Sequence, residues 1–172
     1  MSGMRNPVVD AYVGLGSNLQ HPEAQLQAAI AALRRLPGTS VDAVSHFYRT
    51  APVDLVQQPD FLNAVVRLRT ALAPRRLLDA LLAIEQSQGR IRSVPNGPRT
   101  LDLDLLMHAD LRVDEPGLVL PHPRMLSRAF VMVPLGDIAP DLILPGGATV
   151  RDLAARLAGE QRIERANADA VA

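Results

Sequence analysis

The chain has 172 residues, of which 48% are hydrophobic, and its 18 basic and 18 acidic side chains balance. This size and apolar content predict one globular domain over residues 1–160 and exclude a disordered chain, while the balanced charge excludes a strongly basic nucleic-acid-binding surface. Every basic residue is arginine and cysteine is absent, which excludes lysine and thiol catalysis, disulfides and thiolate zinc sites. No apolar stretch approaches the roughly 18 residues of a membrane span, so we expect a cytoplasmic protein.

The first part of the chain predicts strands and helices in alternation. An apolar strand at residues 8–15 runs into a glycine-rich turn at 14–18. A helix follows at 22–36, because it opens on a proline and a Pro-Gly pair comes directly after it. A second strand covers residues 41–48.

The middle of the chain repeats this order. A loop at residues 50–60 leads to a third strand at 63–70, where apolar and charged side chains alternate. A second helix at 74–88 again opens on a proline. A loop at 90–98 then leads to a fourth strand at 100–107.

The C-terminal part predicts a short element at residues 125–133, a helix at 150–158 and a frayed tail at 161–172. The order strand–helix–strand–strand–helix–strand predicts an α+β, ferredoxin-like fold. Both helices should lie on one face of an antiparallel sheet. The extra C-terminal elements could cover part of the other face.

Two aspartates stand out on the fourth strand. Alternation directs its leucines into the core and Asp102 and Asp104 to the opposite face. Their Cα atoms should lie roughly 6.5–7 Å apart, so the carboxylates can converge on two cations about 3.5–4 Å apart, as in two-metal phosphoryl-transfer sites. Magnesium favours such carboxylate ligands. The alternative is a half-solvated edge strand with two ordinary aspartates.

Arginines flank the aspartate pair in the sequence. Arg99 lies shortly before it, and Arg90 and Arg92 lie in the preceding loop. Carboxylates that hold a metal, flanked by mobile arginines, form the electrostatic arrangement that a transferring phosphoryl group needs. Glu85, near the end of the second helix, could support the metal or the ATP side; the alternative is a solvated surface glutamate.

A histidine is enclosed between two prolines at position 122, six residues before Arg128. A rigidly held histidine near an arginine suits the phosphate tail of a ligand, because both side chains can donate hydrogen bonds to phosphate oxygens. Alternatively, His122 is simply a turn residue.

Aromatic residues are few, and Phe61 and Phe130 both sit beside predicted loops. Exposed rings can stack on a flat heterocycle, and the side chain of Asn63 offers a donor and an acceptor for the edge of such a ring. The alternative interpretation places both phenylalanines in the core.

Six motifs together resemble the 6-hydroxymethyl-7,8-dihydropterin pyrophosphokinase family over about residues 11–145. In chain order they are Gly14-Leu15-Gly16-Ser17-Asn18-Leu19, Phe47-Tyr48-Arg49-Thr50, Gln58-Pro59-Asp60-Phe61-Leu62-Asn63, Gly97-Pro98-Arg99-Thr100-Leu101-Asp102-Leu103-Asp104, Pro121-His122-Pro123 and Arg128-Ala129-Phe130.

The resemblance implies a ferredoxin-like enzyme of folate biosynthesis that binds ATP with two magnesium ions. It would move the terminal pyrophosphate to the pterin hydroxymethyl oxygen and leave AMP. The metals would be held by Asp102 and Asp104, and the catalytic arginines would be Arg90 and Arg99. The ATP-binding set would be Glu85, Arg92, His122 and Arg128. The pterin-binding set would be Thr50, Pro52, Val53, Phe61, Asn63 and Phe130. We expect a monomer that acts on these two small molecules.

The chain departs from the family pattern at three points. Phe61 stands where tyrosine is frequent and retains the stacking face, and Ala51 stands where a proline is frequent. The loop at 89–97 is shorter than in some members, with Val94-Pro95-Asn96 in place of an arginine and an aromatic residue.

The sequence alone leaves two other classes of function open. One is a magnesium-dependent phosphohydrolase or nucleotidyl enzyme that uses the same aspartate pair on a different substrate. The other is a ferredoxin-like regulatory module that binds a small ligand without chemistry and needs no metal.

Overall fold

The computed structural model describes residues 7–51, 60–88 and 101–166, which form an antiparallel sheet with helices on both faces. The helices are α1 (Pro22–Arg34), α2 (Pro74–Gln88), α3 (Ala129–Ile138) and α4 (Val150–Glu160). The strands are β1 (Val9–Ser17), β2 (Thr39–Val44), β3 (Tyr48–Thr50), β4 (Phe61–Thr70), β5 (Leu101–His108), β6 (Val113–Glu115), β7 (Leu118–Leu120) and β8 (Ile163–Arg165). A short 3-10 helix at Met125–Ser127 precedes α3.

In this part of the chain, the strands of the main sheet follow the order β5-β1-β4-β3-β8, and β2 pairs with β4 alongside β3. Each of these pairings is antiparallel. The long strands β1 and β4 form the centre of the sheet, and β5 pairs with the other edge of β1. Strands β6 and β7 form a separate hairpin. The predicted mixture of helices and antiparallel sheet is confirmed.

The two faces of the sheet carry two separate cores. Helices α1 and α2 cover one face, where Val13 of β1 and Leu103 of β5 are buried. Helices α3 and α4 cover part of the other face, where Tyr12 and Leu106 are buried. Because side chains alternate along a strand, β1 and β5 contribute to both cores. Burial of apolar side chains in both layers, at about 25 cal/mol per Å², stabilises this arrangement.

One predicted strand, at residues 41–48, is two strands in the structure. Ser45 interrupts it: its N–H donates to the carbonyl of Val65, and its hydroxyl accepts from the N–H of Val65. The side chain therefore replaces a backbone carbonyl in the ladder. Strand β2 ends at Val44, and β3 begins at Tyr48.

The predicted frayed tail is wrong for its first residues. Ile163–Arg165 forms strand β8, which pairs with β3 and adds an edge to the sheet. Ala166 is buried, and its N–H donates to the carbonyl of Phe47. Pairing with β3 and burial of Ala166 hold this segment in place, although its polar sequence alone does not predict a strand.

None of the helices in the ranges 7–51, 60–88 and 101–166 combines the length and the apolar character that crossing a bilayer would require.

Candidate active site

Beside the area that α3 and α4 cover, the second face of the sheet opens into a cavity of about 380 Å³. Residues from β1, β3, β4, β5 and the start of α3 line this cavity. It brings together many of the residues predicted from the sequence, namely Thr50, Phe61, Asn63, Asp102, Asp104, Arg128 and Phe130.

The aspartate pair lies on the cavity face of β5, as alternation predicts. Leu101, Leu103 and Leu105 are buried in the opposite core, whereas Asp102 is exposed and Asp104 is half-buried. In the neighbouring strand, their register partners are Gly16 and Gly14. Register partners share a face of the sheet, so glycines leave the space beside both carboxylates free of side chains.

These two carboxylates fit a magnesium site in chemistry and in placement. Magnesium in phosphate-handling sites is held by one or two carboxylates and completes its coordination with water and substrate phosphate. Among the residues that the structure describes, no group of three or more histidine and acidic side chains is assembled to hold a metal. Two carboxylates at an open cavity match a site whose coordination is completed by water and the phosphates of a ligand.

Asn63 and Thr50 form a buried polar pair at the opposite side of the cavity. The side-chain amide nitrogen of Asn63 donates a hydrogen bond of 2.8 Å to the hydroxyl of Thr50. Both side chains are nearly inaccessible to solvent. A buried, hydrogen-bonded amide has a restricted orientation, so it can discriminate between the hydrogen-bonding patterns of ligands.

The rings of Phe61 and Phe130 are half-buried, and both line the cavity. Phe61 begins β4, and Phe130 lies in the first turn of α3, where it also packs against the α3–α4 core. The guanidinium carbon of Arg128 lies 5.2 Å from the centre of the Phe130 ring, within the range of a cation–π contact. The cavity thus combines aromatic surface with a positive charge.

A backbone hydrogen bond orients the ring of His122. Its ring Nδ1 accepts a hydrogen bond of 3.2 Å from the N–H of Arg124, so in the neutral ring the proton is on Nε2. Burial lowers the pKa of His122; the Asp104 carboxylate opposes this change, and the positive charges of Arg128 and Arg124 reinforce it. The neutral ring can therefore donate a hydrogen bond from Nε2 near the aspartate pair.

Glu85 is buried, so its interpretation as a solvated surface residue is wrong. Its carboxylate accepts a hydrogen bond of 2.7 Å from the N–H of Leu103, between the two aspartates of β5. Glu85 belongs to α2, which packs against the opposite face of the sheet, and it does not line the cavity. Its predicted contact with ATP remains a prediction.

Five predicted site residues lie outside the described residues and remain predictions. They are Pro52, Val53, Arg90, Arg92 and Arg99.

The sequence interpretation missed a hydrogen-bonded pair, Tyr48 and Asp137, that lies outside the cavity lining. The hydroxyl of Tyr48 on β3 lies 2.8 and 2.9 Å from the two carboxylate oxygens of Asp137 on α3, and this carboxylate also accepts from the N–H of His46. Burial and the Asp137 carboxylate raise the pKa of Tyr48 to about 12, against a smaller opposing effect of Arg165. Tyr48 lies in the Phe47-Tyr48-Arg49-Thr50 motif, which could have indicated a role for it, but no sequence pattern around Asp137 indicated one.

The fold and the cavity define an α+β protein whose open cavity joins two strand carboxylates to a buried amide and two phenylalanine rings. The chain matches the model of the 7,8-dihydro-6-hydroxymethylpterin-pyrophosphokinase family over residues 12–140, and it belongs to this family.

Individual relatives agree with this membership. The chain is 52% identical over 144 residues to a 2-amino-4-hydroxy-6-hydroxymethyldihydropteridine pyrophosphokinase of Pseudomonas aeruginosa, covering 84% of this chain and 89% of the relative. It is 38% identical over 135 residues to the folic acid synthesis protein fol1 of Schizosaccharomyces pombe, covering 78% of this chain and 18% of that protein.

A solved structure shares the fold at low sequence identity. The crystal structure of a Plasmodium falciparum HPPK-DHPS triple mutant with STZ-DHP matches with a TM-score of 0.71 and 14% identity. The match covers 92% of this chain, which spans 45% of the length of the Plasmodium chain.

Proposed function

We propose that the chain transfers the terminal pyrophosphoryl group of ATP to the hydroxymethyl oxygen of 6-hydroxymethyl-7,8-dihydropterin. The products are the pterin diphosphate and AMP, and the reaction is a step of folate biosynthesis. The observation that carries the proposal is one cavity that joins the carboxylates of β5 to the Asn63 amide and two phenylalanine rings. Family membership supports the same reaction.

The pterin would occupy the side of the cavity formed by β3, β4 and α3. Phe61 and Phe130 supply aromatic faces for a flat bicyclic ring, and Asn63 supplies a donor and an acceptor for its edge. Thr50 orients that amide, and Pro52 and Val53 are proposed to complete the pocket.

The hydroxymethyl arm would then extend towards the aspartate pair. Asn63, Gly16 and Asp102 are register partners on β4, β1 and β5. Asn63 and Asp102 are separated by two inter-strand spacings, so their Cα atoms lie roughly 10 Å apart. This row of residues connects the proposed pterin site to the proposed phosphate site in a straight line across the sheet.

Asp102 and Asp104 would hold two magnesium ions, whose charge offsets that of the triphosphate when they are bound. Arg128 and His122 are proposed to donate hydrogen bonds to phosphate oxygens, because a guanidinium and a neutral Nε2–H are both donors. Arg90 and Arg99 would stabilise the charge that develops during transfer. Arg92 and Glu85 are the remaining proposed ATP-binding residues.

We assign the core of the fold to the ferredoxin-like class. The chain order β1, α1, β2 with β3, β4, α2, β5 supports this assignment, since β2 and β3 together occupy the place of one strand beside β4. We also propose that the protein is a monomer.

The decisive experiment incubates the protein with ATP, magnesium chloride and 6-hydroxymethyl-7,8-dihydropterin, and identifies the products by liquid chromatography with mass spectrometry. AMP and the pterin diphosphate in equal amounts are expected. Inorganic phosphate without a modified pterin would instead indicate a phosphohydrolase. Ligand binding that is independent of magnesium, without turnover, would indicate a regulatory module.

A further inference from the structure

Gly16 lies between two groups of the proposed site. It is the register partner of Asn63 on one neighbouring strand and of Asp102 on the other. All three positions face the cavity. Residue 16 therefore lies on the strand between the Asn63 amide, which is proposed to read the pterin, and the Asp102 carboxylate, which is proposed to bind metal.

The backbone does not require glycine at this position. Gly16 is an internal residue of β1 and does not have a positive φ angle. Glycine weakens the interior of a strand, and it often marks a place where another group approaches the backbone closely. A steric reason for glycine is therefore expected at Gly16.

The close group is the side chain of Asn63. A Cβ atom on residue 16 would lie 2.9 Å from the Asn63 side-chain oxygen, closer than real Cβ atoms approach a neighbour. The other end of this amide donates to the Thr50 hydroxyl. A methyl group at position 16 would consequently displace the Asn63 oxygen or break the bond to Thr50.

We propose that Gly16 is a positioning residue for substrate recognition, which keeps the Asn63 amide in the orientation that reads the pterin edge. This inference rests on the proposed function. Gly16 acts by lacking a side chain: the Asn63 oxygen lies over the β1 backbone while its nitrogen remains bonded to Thr50. A larger residue would turn the amide and mismatch its donor and acceptor with those of the pterin.

The first test compares Gly16→Ala with the wild-type protein. Pterin affinity is measured by calorimetry in the presence of magnesium and a non-hydrolysable ATP analogue, and the affinity for the analogue is measured separately. Gly16→Ala should weaken pterin binding about tenfold or more, the scale of a mismatched buried hydrogen-bonding group. The affinity for the analogue should change less than threefold. Unchanged pterin affinity would overturn the proposal.

A double-mutant cycle separates an effect through Asn63 from a direct effect of the added methyl group. In an Asn63→Ala background, Gly16→Ala should cause little further loss of pterin affinity, because the group that it displaces is already absent. Gly14→Ala is the matched comparison on the same strand and face, where the new methyl group would meet Leu106 at an ordinary 3.6 Å. Any loss caused by Gly14→Ala should be additive with Asn63→Ala. Additive losses for Gly16→Ala would contradict the proposal.

Thermal unfolding keeps the proposal testable if Gly16→Ala folds poorly. Asn63→Ala should then raise the melting temperature of Gly16→Ala, because it removes the oxygen that clashes. If the double variant Gly16→Ala/Asn63→Ala remained unfolded, the clash would not involve the Asn63 oxygen, and the inference would be overturned. Failure of the proposed function is distinguishable, because in that case the wild-type protein itself would not bind or convert the pterin.

Discussion

The hydroxyl of Tyr48 is hydrogen-bonded to the carboxylate of Asp137, 89 positions further along the chain. This contact ties β3, which carries Thr50, to the last turn of α3, which carries Phe130 in its first turn. Two elements that line the cavity are thereby held together by a polar link outside it. The link couples the stability of the fold to the geometry of the proposed pterin site.

Tyr48→Phe should lower the free energy of unfolding by about 1–2 kcal/mol, because it removes a hydrogen bond to a carboxylate. Urea denaturation at neutral pH measures this change. Asp141→Asn is a suitable control, since the ion pair of Asp141 with Arg151 is highly exposed and should contribute little. Equal effects of the two substitutions would contradict the role of the Tyr48 link.

The hydrogen bond between Tyr48 and Asp137 should stabilise the fold less at alkaline pH than at neutral pH. The pKa of Tyr48 is raised from its ordinary value of 10 to about 12 in the folded protein, so the folded state holds this proton more strongly than the unfolded state. The stabilisation is complete below pH 10 and is lost as the pH rises through 12. The stability difference between wild type and Tyr48→Phe, measured by urea denaturation, should therefore shrink between these values. A constant difference would show that Tyr48 does not titrate in this way.

Asp102→Asn and Asp104→Asn should each fold but turn over at least about 100-fold more slowly. Asparagine preserves size while it removes the charge that holds magnesium, and loss of one electrostatic element of this kind costs about 100-fold or more. Their apo forms should melt at or above the wild-type temperature, because two carboxylates on the same face of β5 repel each other when no metal is bound. Magnesium-dependent binding of an ATP analogue should weaken in both.

Asp114→Asn serves as the control for this pair, because Asp114 is exposed on the β6–β7 hairpin. Its steady-state rate and its binding of the ATP analogue should match those of the wild type. A normal rate in either Asp102→Asn or Asp104→Asn would refute the assignment of the magnesium site.

Phe61→Ala and Phe130→Ala should each weaken pterin binding by about 1–3 kcal/mol, through the loss of a stacking face and of buried area. Calorimetry with the ATP analogue present measures the effect, and ATP affinity should change much less. Phe47 is almost completely buried in the core, so Phe47→Ala should lower stability by about 3–5 kcal/mol. Equal losses of ATP and pterin affinity, together with a lower melting temperature, would identify Phe61 or Phe130 as a core residue.

His122 should contribute an acid-sensitive part of the stability. Burial lowers its pKa below the ordinary value of 6.5, so the unfolded state takes up the proton more readily. This stabilisation is present above pH 6.5 and is lost as the pH falls through the lower, folded-state pKa. In His122→Asn, which can still accept the Arg124 N–H, the stability should depend less on pH in this range. Denaturation curves between pH 7 and pH 5 test this, and identical slopes for both proteins would contradict it.

Local patterns in the sequence determined the elements and the face on which the chemistry lies. Proline at the first position of α1 and of α2 set where these helices begin. Alternation along β5 placed Asp102 and Asp104 opposite the leucines of the core. These features depend on residues a few positions apart, so one sequence is sufficient to predict them.

Only the tertiary structure decided the features that depend on distant parts of the chain. Ser45 divides a predicted strand through its bonds to Val65, and β8 is ordered by pairing with β3. The sequence left open whether Phe61 and Phe130 belong to the core or to a binding site; their place in the cavity depends on how α3 packs against the sheet. The local sequence around a hydroxyl, a carboxylate or an aromatic ring is the same whether that side chain packs in the core or lines a binding site. Packing between distant segments determines which partner it meets and how much of it remains in contact with water.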